Sequence, residues 1–195
     1  MAITASEVNK LRQQTGAGMM DCKNALVESN GDFETAVDVL RKKGQKIAAK
    51  RGENDAKEGI IIAQSTGDSK AGVIVTLNCE TDFVAKNDGY VQLVQSLVNL
   101  ALDRLPKSLD ELKSLAYNEK LSVEEKITEQ IGILGEKLDL SAYAIIESEK
   151  VVAYNHPGNQ LATLVALNIN SDSADDAGKQ VAMQVEAMNT IALNK

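Results

Sequence analysis

Shifting the chain against itself by 90 residues aligns 58–102 with 148–192 without a gap. Ile60-Ile61-Ile62-Ala63 meets Lys150-Val151-Val152-Ala153, and Val73 to Asn78 meets Thr163 to Asn168. Thr81-Asp82 meets Ser171-Asp172, Val91 meets Val181, and Asn99 meets Asn189. The turn signals coincide as well, Gly67-Asp68 against Pro157-Gly158-Asn159. Identities are few, so the shared pattern carries the match: strand, tight turn, strand, capped helix. A unit that recurs in this way specifies a duplicated α+β core rather than a single sheet of arbitrary topology. The first copy continues with helix starts at Ser108-Leu109 and Ser122-Val123 and a strand over Leu138 to Ile146. The second copy reaches Lys195 without equivalents, so its sheet is expected to expose an edge unless covered.

Ahead of the repeat the periodicity is purely helical. Thr4-Ala5-Ser6-Glu7 is a capping box, followed by Val8 and Leu11 and a stop at Gly16. Met19, Cys22, Ala25 and Leu26 give a second helix from Met19 to about Ser29, halted by Asn30-Gly31. Asp32 caps a third, with Phe33, Ala36, Val37, Val39 and Leu40 as its apolar set and Gly44 beyond its end. Three short helices of this kind make a compact bundle of the ubiquitin-associated type. Lys42 to Arg51 is a basic cluster, read either as a phosphate-facing patch or as a solvated helix end that suits the dipole. The expected division is a three-helix head over 1–50, a linker over 51–57, a first core subdomain over 58–147 and a second, incomplete one over 148–195.

The stretch with most chemical character is Cys79 to Lys86, where the apolar run Gly72 to Leu77 gives way to a helical pattern of Tyr90, Val91, Val94, Leu97, Val98 and Ala101. Thr81-Asp82 suits a helix cap. Phe83 is one of two phenylalanines in a chain without tryptophan, and it stands at this junction rather than on an obvious core face. It either folds back onto its own sheet or enters a pocket of a partner, where its burial contributes about 2 kcal/mol. The second copy has Ser173 at the equivalent position. A residue needed for the common fold would recur, so the difference favours a dedicated role for Phe83.

Net charge of -7 and a pI near 4.9 argue against wholesale binding to nucleic acid or an anionic membrane. No apolar run approaches a membrane span, and Met1 to Ala5 has no signal-peptide character. Cys22 and Cys79 form no CxxC pair and read as reduced thiols of a cytoplasmic protein. With one histidine, His156, in the turn Asn155-His156-Pro157-Gly158, metal sites are not expected. There is no GxxxxGK[ST] loop and no Ser-His-Asp or Cys-His constellation. The chain therefore reads as a binding protein rather than an enzyme, with no cofactor of its own.

Two blocks go further than composition. Leu11-Arg12 followed by Thr15-Gly16-Ala17-Gly18-Met19-Met20-Asp21-Cys22-Lys23-Asn24-Ala25-Leu26 is one, and Asn78-Cys79-Glu80-Thr81-Asp82-Phe83-Val84-Ala85-Lys86 is the other. Both closely resemble the bacterial elongation factor Ts family, guanine-nucleotide exchange factors for elongation factor Tu. The resemblance spans essentially the whole chain and weakens between residues 105 and 145. It implies that Arg12, Met19, Met20 and Lys23 grip a helix of the partner's GTPase domain. Adjacent methionines cannot both face one helical core, which fits one of them being an exposed, adaptable contact. The resemblance further implies that Asp82 and Phe83, flanked by Thr81 and Val84, intrude near the partner's magnesium and phosphate site. His156 matches a second-subdomain contact, although Pro157 departs from some relatives. Typical members carry a helical coiled-coil insertion and closing elements that this sequence lacks. The expectation is thus a short family member, with a homodimer through its incomplete sheet as a possibility and a docking module without exchange activity as the alternative.

Overall fold

The computed structural model of the chain describes residues 3–171 and 173–188. Asp172, Asn189 and Lys195, used in the readings above, lie outside them. Among the described residues the architecture is α+β, with eight helices and two small sheets. By contact the chain forms two units. One takes residues 1–55 and 124–138, the other 56–123 and 139–195.

The first unit opens with α1 (Ala5–Thr15), α2 (Met19–Glu28) and α3 (Phe33–Arg51). Thr4 and Glu7 form the expected reciprocal capping box, and Gly16 ends α1 in the left-handed region at φ 73°. Val8, Leu11, Cys22, Ala25, Leu26 and Ala36 are the buried core, with Phe33, Val37, Val39 and Leu40 packed around it. One expectation is corrected. α3 does not stop before Gly44 but runs on to Arg51, so the basic cluster lies on its last turns. The residues around Gly44 are good helix formers, and glycine inside a helix costs only about 1 kcal/mol. Its lack of a side chain is what the packing requires. A Cβ on Gly44 would stand 2.8 Å from the carbonyl oxygen of Thr128, and one on Gly132 would stand 2.7 Å from Gly44 Cα. Thr128 and Gly132 lie on α7 (Val123–Leu134), whose Ile133 packs against the same core. Two glycines thus let the α3 and α7 backbones touch.

The second unit is built on β1 (Glu58–Ser65), β2 (Ala71–Cys79) and β3 (Leu138–Glu147), in the order β1-β2-β3, and on β4 (Lys150–Asn155) paired with β5 (Ala162–Leu167). Ile60 pairs with Leu77 in the first hairpin, and Lys150 pairs with Leu167 in the second. Each member is displaced by 90 residues, so the two hairpins share one register. Between β2 and β3 lie α4 (Asp82–Ala85), α5 (Asp88–Arg104) and α6 (Leu109–Ser114), while α8 (Ala174–Met188) follows β5. α5 lays Tyr90, Leu93, Val94, Leu97, Val98 and Ala101 inward, against β1 and β2. The Tyr90 hydroxyl donates to the Leu77 carbonyl at 2.5 Å, satisfying its one polar atom.

The two hairpins also meet each other. A Cβ on Gly72 would lie 2.6 Å from Val151 Cγ1, so only glycine admits the second hairpin at this distance. α8 packs on β4 and β5 through Ala174, Gly178 and Ala182, and a Cβ on Gly178 would come within 2.5 Å of Val152 Cγ2.

Candidate partner-binding surfaces

The Phe83 segment is held from below and free above. β2 ends in Cys79, which is fully buried, and its thiol donates to the Thr81 carbonyl at 3.1 Å. Thr81 is extended, and its hydroxyl accepts from the Val84 N–H at 3.5 Å, closing the single turn of α4. The cap therefore does not start the long helix, as the sequence reading has it. Asn87 does that, accepting from the N–H groups of Gly89 and Tyr90. Val84 and Ala85 are buried, which leaves Phe83 on the opposite side of the turn with 83% of its surface exposed. An isolated ring this open has no packing role in the unit that carries it. Val84, grouped with the contact residues by motif, faces inward and acts as the anchor beneath the ring.

Asp82 lies beside Phe83 and forms an ion pair with Lys86, one turn on, at 2.7 Å. The hydrogen bond from Lys86 and its positive charge hold the Asp82 carboxyl below its usual 3.8, so the side chain stays anionic across the physiological range. Both partners are exposed, and the pair orients the carboxylate more than it stabilises the fold. In the second copy α8 starts at Ala174, the position equivalent to Val84. The separate turn that thrusts out Phe83 is absent there, and Ser173 is an exposed turn residue.

The head carries a second surface. α2 buries Cys22, Ala25 and Leu26 on one side. The other side presents Met19 at 51% exposure and Met20 at 63%, with Lys23 exposed between them and Arg12 exposed on α1. Both methionines, not one, face outward. Val27, a residue that periodicity alone does not single out, extends the patch at 57% exposure. Its spacing of four from Lys23 and eight from Met19 places it on the same helical face. The Thr15 hydroxyl fixes the approach to α2, donating to the Leu11 carbonyl at 2.8 Å and accepting from the Ala17 N–H at 3.3 Å.

His156 stands at the tip between β4 and β5, its side chain 52% exposed. The tip is tied down by its neighbour. The Asn155 side chain accepts from the Ala63 N–H at 2.7 Å and donates to the Ala63 carbonyl at 2.8 Å, acting like a peptide unit added to β1. The Ile61 N–H donates to the Asn159 carbonyl at 2.7 Å on the far side of the tip. Asn155→Ala is expected to lose about 1–2 kcal/mol, the sum of two modest hydrogen bonds. Hydrogen exchange would show the tip opening while the Tyr90 amide in α5 keeps its protection.

Among the described residues no helix is long and apolar enough to cross a membrane, and no group of three or more His, Cys, Asp or Glu is placed to hold a metal ion. A family profile described as elongation factor TS matches residues 80–195. The chain is 51% identical to the elongation factor Ts of Christiangramia forsetii over 193 residues, which covers 99% of this chain and 69% of that protein. It is 51% identical to that of Amoebophilus asiaticus over all of this chain and 70% of the relative. With the Bacteroides thetaiotaomicron protein it shares 47% identity, again over all of this chain but only 58% of the relative. With that identity running over 99% of this chain or more, the chain belongs to the elongation factor Ts family.

Proposed function

We propose that the chain is the guanine-nucleotide exchange factor of elongation factor Tu, acting in the cytoplasm during translation elongation. The observation that carries this reading is Phe83: a large apolar ring, 83% exposed, on a turn whose Val84 and Ala85 are anchored in the core. Such a side chain costs the free protein solvation and returns about 2 kcal/mol only on entering a partner. Asp82 beside it supplies a fixed negative charge. Together they are suited to displacing groups that hold the partner's magnesium, and loss of magnesium removes charge neutralisation at the phosphates. The chain itself holds neither nucleotide nor metal in this scheme.

The head, a bundle of ubiquitin-associated type, serves as the docking element through Arg12, Met19, Met20 and Lys23. Methionine side chains adapt to an imperfectly matched groove, and the two cations confine them to one register. His156 provides a contact from the second hairpin. Exchange then follows from linkage. A chain that binds the nucleotide-free partner more tightly than the GDP-bound form must weaken GDP binding by the same factor.

Calorimetric titration tests this directly. The chain is expected to bind nucleotide-free elongation factor Tu at least about tenfold more tightly than the GDP complex, a coupling of about 1.4 kcal/mol. Equal affinities would exclude exchange. Met20→Ala is expected to weaken both complexes by about tenfold, the burial of one methionine, and to leave their ratio unchanged.

A further inference from the structure

The buried face of α8 reads Ala174, Gly178, Ala182 and then Glu186, a strict spacing of four. Three stations are small and let the helix lie close on β4. The fourth is a carboxylate whose side chain is only 8% exposed. Both of its oxygens are shut off from solvent, and neither has an aligned hydrogen-bond donor. A carboxylate in such a place is costly unless a counter-charge meets it. Among the described residues the side chain that meets it is His156, whose Nδ1 lies 3.0 Å from Oε1. It is a close contact rather than an aligned hydrogen bond. The backbone of the same histidine is fixed independently. Its N–H donates to the Leu161 carbonyl at 2.9 Å, and its carbonyl accepts from the Asn159 N–H at 2.9 Å.

We propose that Glu186 is the positioning residue for His156: it holds the imidazole by Nδ1, so that Nε2 is turned outward as the atom offered to the partner. The inference rests on the reading of His156 as a partner contact. Contact at one ring nitrogen decides what the other presents. With Nδ1 engaged by a carboxylate, the ring orientation is settled before docking, and the partner meets one defined imidazole edge rather than a rotating side chain. The complementary group on the partner is then a small polar one, reached by a single nitrogen. The same contact explains why α8 carries a glutamate where its packing pattern calls for another small residue.

The chain has a single histidine, so its imidazole nitrogen resonances are unambiguous. In the full chain, Glu186→Gln, which keeps the shape and removes the charge, and Glu186→Leu are compared with the parent by nitrogen NMR and by titration against elongation factor Tu. The Nδ1 resonance is expected to move in both variants, more in Glu186→Leu, while amide signals of α5 stay in place. Affinity is expected to fall about fivefold in Glu186→Leu, the scale of one interfacial hydrogen bond. The same change made on top of His156→Ala is expected to cost nothing further. An unmoved Nδ1 resonance would overturn the proposal, and so would an equal loss of affinity with and without His156. If His156→Ala alone leaves affinity unaltered, the partner role of His156 falls, and the positioning role falls with it. The head and Phe83 would still account for docking, because their variants are read separately.

Discussion

Phe83→Ala is expected to leave the melting temperature of the chain unchanged and, on the proposed function, to slow GDP release from elongation factor Tu by about 30-fold, the kinetic equivalent of about 2 kcal/mol. Both halves of this result follow from the geometry. The ring is 83% exposed, so its removal takes almost nothing from the core, and stability should move by no more than about 0.5 kcal/mol. The turn itself does not depend on the ring. Thr81 caps it, Val84 and Ala85 anchor it, and the Cys79 thiol ties its entry. What is lost is the surface that the proposed function sends into the partner. A combined melt and release assay separates the outcomes. A fall in melting temperature together with lost activity would mean that the ring is structural. Normal release by a stable Phe83→Ala protein would mean that exchange does not pass through this side chain.

The second large effect is on folding. Gly132→Val should destabilise the first unit by about 3 kcal/mol, the upper range for forcing atoms into a packed interface. The added Cβ would lie 2.7 Å from Gly44 Cα and 3.2 Å from Gly44 N. Those are backbone atoms, which cannot swing aside as a side chain could, so α3 and α7 must separate. For a unit of about 70 residues that loss corresponds to a fall of roughly 10 °C or more in its melting temperature. Calorimetry should resolve the change in the unit formed by residues 1–55 and 124–138. Gly135→Ala is the matched control for a side chain in open space. Nothing lies within 4 Å of its Cβ, and its cost is confined to the strain of φ 74°.

The sequence carried the local half of this structure. Capping at Thr4 and Asp32 marked helix starts, and the apolar spacing of Tyr90 to Ala101 marked the buried face of α5. The 90-residue shift anticipated the hairpin register without any structural input. The contrast between Phe83 and Ser173 pointed to an exposed ring because a duplicated fold supplies its own control. Features that depend on distant partners were not legible. Nothing near Gly44 signals that α7 will lie against it, so the glycine reads as a stop rather than as a crossing point. Asn155 looks like an ordinary turn residue until Ala63, 92 positions earlier, is beside it. Glu186 reads as one more solvated charge of an amphipathic helix, because nothing in the local sequence signals that His156 will lie against it. Val27 was the nearest to recoverable, since it shares the outer face of α2 with Met19 and Lys23. An isolated valine on an exposed face, however, is common and carries no signal by itself.

Stopped-flow release of a fluorescent GDP from elongation factor Tu, with the unaltered chain added at rising concentration, tests the proposed exchange most directly. Acceleration that saturates with chain concentration is the result expected of an exchange factor. Binding of the chain with no change in the release rate would contradict it, leaving a protein that docks on elongation factor Tu without opening its nucleotide site.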